Sequence, residues 1–318
     1  MKRRTLTLGL LAAPVIAQAQ GTWPQRPVRI VVPFPPGGSN DVIARPLAEK
    51  LQQRLGQPVV IENRAGASGA IGAAQVAQSA ADGHTLMVTS SSFAASAAVQ
   101  RTPYDAIGSF DTVSLLARAP FLVLVHPDFP PRDIGQLIEY CRARPGQVDF
   151  ASSGPGGINH FVTELFALRA GLRLNHVPYR GMPPAVTDVV AGHVPLLITT
   201  MASASAAIRE NRVRLLAYCG PGAPAGSPPA PSVKEATGIN YEASIWWGLL
   251  GPKGIPAGPM GILNAAVASA LREADVARVY EAEGATPGGS SPQEYATVLR
   301  DDIAGFREVA QAANIRLD

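Results

Sequence analysis

The chain has 318 residues, more than one hydrophobic core usually supports, so two lobes are expected. Its formal net charge of +3 equals the contribution of Lys2, Arg3 and Arg4 at the start, so the remainder is neutral and lacks the basic footprint of a nucleic-acid binder. Two cysteines, Cys141 and Cys219, are too few for a disulfide framework, and the sequence leaves open whether they pair or stay as buried free thiols.

The first residues follow the layout of an export signal. A basic start precedes the apolar stretch from Leu6 to Ile16, and Ala17-Gln18-Ala19 supplies the small-x-small pattern read by signal peptidase. Residues 1–19 are therefore expected to be removed, leaving a mature protein in the periplasm. The apolar stretch is shorter than the ~20 residues of a spanning helix, and no cysteine follows it to carry a lipid. Arg3-Arg4 leaves both the general and the twin-arginine export routes open.

After residue 19, Val28–Val32 is a β-branched run that predicts a strand, and the rigid loop Pro33–Asp41 leads into a helix marked by Ile43, Leu47, Leu51 and Leu55. Gly56 stops that helix, and Pro46 inside it predicts a kink or an irregular first turn. Val59–Glu62 predicts the second strand, an Ala-rich helix follows to about Ala80, and Thr85–Val88 predicts the third strand. Apolar segments at Val113–Leu116 and Phe121–Val125 precede a second alternation: helix over 134–144, strand over 148–151, helix over 159–170, and strand over 176–179. It continues with a helix over 184–191, a strand over 195–198, a helix over 203–210 and a strand over 215–218. Residues 220–231, rich in Pro, Gly and Ser, predict an exposed loop; Trp246–Pro252 predicts a late strand, and helices are expected over 259–272, 274–283 and 292–313. The whole is an α/β chain with a mostly parallel sheet in each of two lobes. Lobe one comprises 24–120 plus 240–318 and lobe two 121–239, joined by two crossings that can act as a hinge.

In doubly wound sheets, ligands sit at the turns after the strands, and here those turns are rich in glycine and hydroxyls. Gly37, Gly38, Ser39, Asn40 and Asp41 form the first. Its glycines let the backbone approach a bound group, and the helix start behind offers free N–H donors and a partial positive charge suited to a carboxylate. Asp41, Ser39 or Asn40 is expected to cap that helix. Ser152, Ser153, Gly156, Gly157, Asn159 and His160 repeat the same physics in lobe two, so that closing the lobes would surround a small anion from both sides. Ser91 and Ser92, after the third strand, add hydroxyls; Phe34 supplies an apolar wall; Tyr179 can reach the cleft or rest as a packed phenol. A hydrolase built on Ser153 and His160 is the competing reading, but neither Ser152 nor Ser153 lies in a G-x-S-x-G elbow and no acid is placed to orient the imidazole. Five histidines and two cysteines are scattered without metal-ligand spacing, and the glycine pairs match no P-loop or dinucleotide fingerprint.

Val31–Asp41, Ile61–Gly69, Ala81–Leu86, Ser152–Phe166, His176–Gly181 and Trp247–Pro252 together resemble the substrate-binding receptors of tripartite tricarboxylate transporters, the Bug receptors. The likeness spans nearly the whole mature chain. It implies a two-lobed periplasmic-binding-protein fold of the Venus-flytrap kind, type II-like, acting as a monomer without cofactor or metal. It also implies capture of a small carboxylate and its delivery to a two-subunit membrane permease. By the same resemblance, the turns Phe34–Asp41 and Ser152–His160 hold the carboxylate through backbone amides, hydroxyls and ordered water. The chain departs from the family at Thr199, where an acidic residue is usual. Losing it removes a partner for an ammonium group, so a non-amino mono- or dicarboxylate is expected rather than an amino acid. Presentation of the loaded receptor to a membrane kinase is the alternative role.

Overall fold

The computed structural model describes residues 23–220, 222–224, 227–312 and 315; the export signal expected over residues 1–19 lies outside them. The chain begins β1 (Val28–Val32), α1 (Ser39–Leu55), β2 (Val59–Asn63), a short 3-10 turn (Ala67–Gly69), α2 (Ala70–Ala77), β3 (Thr85–Ser90), α3 (Ser91–Val99) and β4 (Phe110–Pro120). It continues as β5 (Leu122–Val125), α4 (Ile134–Arg142), β6 (Asp149–Ser152), α5 (Ile158–Ala170), β7 (Asn175–Pro178), α6 (Met182–Val190), β8 (Leu196–Thr199), α7 (Met201–Arg209), β9 (Arg214–Tyr218) and α8 (Val233–Thr237). It ends with β10 (Ser244–Pro252), α9 (Ala257–Ala270), α10 (Ala274–Ala282), β11 (Thr286–Pro287) and α11 (Pro292–Ala312).

These elements build two sheets, ordered β11-β4-β10-β3-β1-β2 and β7-β6-β8-β5-β9. Their cores follow from the sequence: β1 and β3 are buried on both faces and read as continuous β-branched or aliphatic runs, and α1 turns Ile43, Leu47 and Leu51 inward. A mostly parallel sheet in each lobe was expected, and both sheets prove mixed. Parallel pairing holds for β1 with β2 and β3 and for β6 with β7 and β8, whereas β10 and β5 run antiparallel to their neighbours. The antiparallel strands are those that carry the chain between sheets: β4 runs into β5 through Phe121, and β10 is the return. Direction leaves no trace in hydrophobic periodicity, which is why the sequence missed it.

The seam between sheets is stitched by main chain: Phe121 N–H donates to Ala243 O at 3.3 Å and Cys219 N–H to Phe121 O at 2.7 Å. Cys219 and Cys141 are both buried free thiols, which settles the open question against pairing. The expected disturbance at Pro46 does not break α1, which runs unbroken from Ser39 to Leu55 with its apolar face pinned against the sheet. No helix among the described residues is long and apolar enough to cross a membrane.

Candidate functional site

Both glycine turns solve the same local problem in the same way. In the first, Gly37 takes φ 79°, a left-handed conformation that favours glycine, and Gly38 caps α1 with φ −77° and ψ 166°. In the second, Gly156 takes φ 65° and Gly157 caps α5 with φ −75° and ψ 161°. Neither cap position has a side-chain hydrogen bond, so the first N–H groups of both helices remain free for a guest. This corrects the expectation that Ser39, Asn40 or Asp41 caps α1.

The fifth residue of each turn reaches back to hold it. Asp41 Oδ2 accepts from Gly37 N–H at 3.0 Å, and His160 Nδ1 accepts from Gly156 N–H at 3.2 Å. Asp41 also takes both forks of Arg45 at 2.8 Å and Asn63 Nδ2 at 3.0 Å. Burial raises the Asp41 pKa, but Arg45, Gly37 and Asn63 outweigh it and hold the carboxyl below its ordinary range. Its side chain is braced beneath the loop, not at the cavity.

The two turns face each other across a cavity of about 20 Å³. Phe34, Gly38, Ser39 and Asn40 line it from one lobe with Ser90 and Ser92 at the start of α3. Ser153, Ile158 and Asn159 line it from the other lobe, with Met182 and Pro183 at the start of α6 and Thr199, Thr200 and Ser203 at the start of α7; Phe121 and Ile245 close it at the seam. Five helix N-termini (α1, α3, α5, α6, α7) thus converge on one space, and no side chain that lines it is charged. Partial positive charge from aligned peptide dipoles, together with hydroxyl and amide side chains, lines the space, which suits a small anion. Asn40 Oδ1 and Thr199 Oγ1 are buried there without a hydrogen-bond partner, while Asn159 is fixed by Ser153 Oγ at 3.1 Å and by donating to Ile198 O at 2.9 Å.

Outside this cavity the closed lobes touch directly. Ser68 Oγ and Gln100 Nε2, both from the first lobe, donate to the single carbonyl of Pro155 at 2.8 and 3.2 Å. Gly181 backs so closely onto Pro35 that a Cβ there would lie 2.7 Å from Pro35 Cδ.

Of the residues singled out by sequence, Phe34, Gly38, Ser39, Asn40, Ser92, Ser153, Asn159 and Thr199 are brought together at the cavity. Gly37, Gly156 and Gly157 shape the turns without lining it, and Ser91 is buried beside it with its hydroxyl unpartnered. Ser152 turns away, with Oγ 2.6 Å from His176 Nε2, and Tyr179 stands at the outer mouth, its hydroxyl donating to Asp188 Oδ2 at 2.6 Å. His160 stacks on His176 with ring centroids 3.9 Å apart. Ser90 lines the cavity as part of the donor-rich turn Ser90-Ser91-Ser92 that the sequence offers; Thr200 and Ser203 were missed, although Thr199-Thr200-Met201-Ala202-Ser203 after β8 carries the same strand-to-hydroxyl-turn signal.

The stacked histidines give the turn an acid limit. Burial pushes the His160 pKa down to about 4, and burial together with the neighbouring His160 does the same to His176. Both are neutral at pH 7, as the acceptor role of His160 Nδ1 requires. In the unfolded chain they take protons near 6.5, so the folded protein binds fewer protons between that value and about 4. Stability from this pair is therefore full above pH 6.5 and lost as pH falls toward 4. Thermal unfolding followed from pH 7 down to 4 should show that decline, and His160→Asn should flatten it; an unchanged slope in the variant contradicts the assignment.

Two mixed sheets joined by a two-stranded seam, with a polar cavity at the seam fed by helix starts from both sides, define a two-lobed ligand-binding protein. The chain belongs to the tripartite tricarboxylate transporter receptor family, whose model matches residues 43–315. It is 37% identical to protein BugT of Bordetella pertussis over 310 residues, spanning 96% of this chain and 94% of that one. Among solved structures it is similar to R. palustris Rpa4515 with adipate (TM-score 0.89, 34% identity, 92% of this chain and 99% of the other). It is also similar to MatC from Rhodopseudomonas palustris with bound malate (TM-score 0.85, 30% identity, 90% and 99%).

Proposed function

We propose that this chain is a monomeric periplasmic receptor that closes lobes 24–120 plus 240–318 and 121–239 around a small organic carboxylate and delivers it to a two-subunit membrane permease. The observation that carries this reading is the convergence of five helix starts from both lobes on one cavity whose lining carries no charged side chain. Closing the lobes desolvates the carboxylate while replacing its water with fixed N–H and hydroxyl donors, so ligand and closure stabilise each other. The adipate and malate held by the two solved relatives support the same ligand class. Export rests on the signal of residues 1–19.

The preferred guest lacks an amino group. Thr199 stands at the cavity, and no carboxylate side chain lines it, so an ammonium would be stripped of water with no counter-charge. Catalysis has no support in the side-chain pairing: Ser153 donates to Asn159 with no base beside it, and Ser152, the serine that meets a histidine, is fully buried. Calorimetric titration with succinate, citrate, nicotinate and aspartate tests the reading. Binding of at least one of the first three, tighter than aspartate, is expected. Tight binding of aspartate alone removes the non-amino preference, and silence from a broad panel of organic acids removes the receptor reading.

A further inference from the structure

The cavity at the seam is too small to enclose a whole organic acid. At about 20 Å³ it admits roughly one water-sized group, which matches a carboxylate head and leaves the rest of any ligand outside. Next to it, with Phe34 and Ser153 lining both, lies a vestibule of about 680 Å³ walled by residues of the two lobes. The vestibule differs from the cavity in charge. Arg101 of the first lobe and Arg180 of the second line it, no acidic side chain does, and neither arginine makes an ion pair with any described residue. Both are exposed and therefore fully hydrated until a ligand arrives.

We infer that Arg101 and Arg180 form a second anion subsite, which selects acids carrying a distal anionic group on a spacer long enough to run past Phe34 from the cavity into the vestibule. This rests on the carboxylate-receptor reading and adds its selectivity. One carboxylate sits among the helix starts; the other meets two guanidinium groups, one from each lobe, and so also bridges the closed form. A monocarboxylate of equal length satisfies the cavity and leaves both arginines unpaired. Short diacids such as succinate enter the vestibule with a second carboxylate that stops short of the arginines.

The test compares adipate with hexanoate, which share a chain length, by calorimetry on the full mature protein and on an Arg101→Gln/Arg180→Gln double variant. Wild type should prefer adipate, the preference should weaken as salt is raised, and it should fall about tenfold in the double variant, the scale set by two partly screened ion pairs. Unfolding temperature reports that the variant folds. An adipate-to-hexanoate ratio unaltered by the double substitution, or no preference in wild type, overturns the subsite while leaving the receptor reading intact. If these acids and a broad panel of others, including succinate, suberate, citrate and nicotinate, all fail to bind wild type, the receptor reading falls and takes the subsite with it.

Discussion

Asp41→Ala should destabilise the protein by about 3 kcal/mol and lower carboxylate affinity at least tenfold, although Asp41 never reaches the ligand cavity. The carboxylate is buried, with its side chain 4% exposed, and satisfies Gly37 N–H, Asn63 and both forks of Arg45. Removing it strands the Gly37 and Asn63 donors; the half-exposed Arg45 returns to water and adds less. Gly37 is the left-handed residue that aims the start of α1, so the cost appears in binding as well as in unfolding. Denaturant unfolding with calorimetry on the same sample reads both. Asp41→Asn, which keeps an acceptor, should lose less of each. A normal affinity in Asp41→Ala would show that the turn is held by its glycines alone. The carboxyl is held below its ordinary value of 3.8, so its stabilisation is present above that pH and is lost as pH falls through the folded value, below the histidine window.

Gly248→Ala should cost about 3 kcal/mol, or a melting point lower by on the order of 5–10 °C, from one added methyl group. Gly248 lies in β10 at a register break against β4, and the buried ring of Tyr295 from α11 rests on it: a Cβ would sit 2.3 Å from Tyr295 Cζ and the hydroxyl oxygen. The ring cannot swing away, because it is fully buried and packs edge-on against Trp246 with centroids 5.2 Å apart. Either α11 lifts or β10 bends, and β10 is one of the strands at the seam. Gly261→Ala in α9 is the contrast, since nothing lies within 4 Å of its Cβ; helix propensity alone should make it stabilising by about 0.5–1 kcal/mol. Differential scanning calorimetry separates the two, and equal melting points would refute the packing account.

Much of this architecture was legible in the sequence because its signals are local. Runs such as Val28–Val32, the helical spacing of Ile43, Leu47 and Leu51, and the stop at Gly56 each reflect burial or backbone freedom within a few residues. The failures are of two kinds. Strand direction in β10 and β5 is a tertiary property with no local imprint. Two helices were given no element: α8, which does have a local signal in the Ser232/Glu235 capping box just past the loop read over 220–231, and α3, which follows Ser90. At the site, the glycine turns were legible because the left-handed backbone at Gly37 and Gly156 favours glycine, whereas a hydroxyl in a turn has two possible addresses. Ser153 faces the cavity and Ser152 faces His176, and the alternation of a strand end decides which.

On the proposed reading, peptide groups at capping glycines grip the first carboxylate, and the anchor is independent of the identity of nearly every surrounding side chain. Substitutions along the rim can therefore trade one guest for another without erasing the ability to hold an acid at all. A scaffold of this kind can diversify by single steps, each intermediate remaining a functional trap.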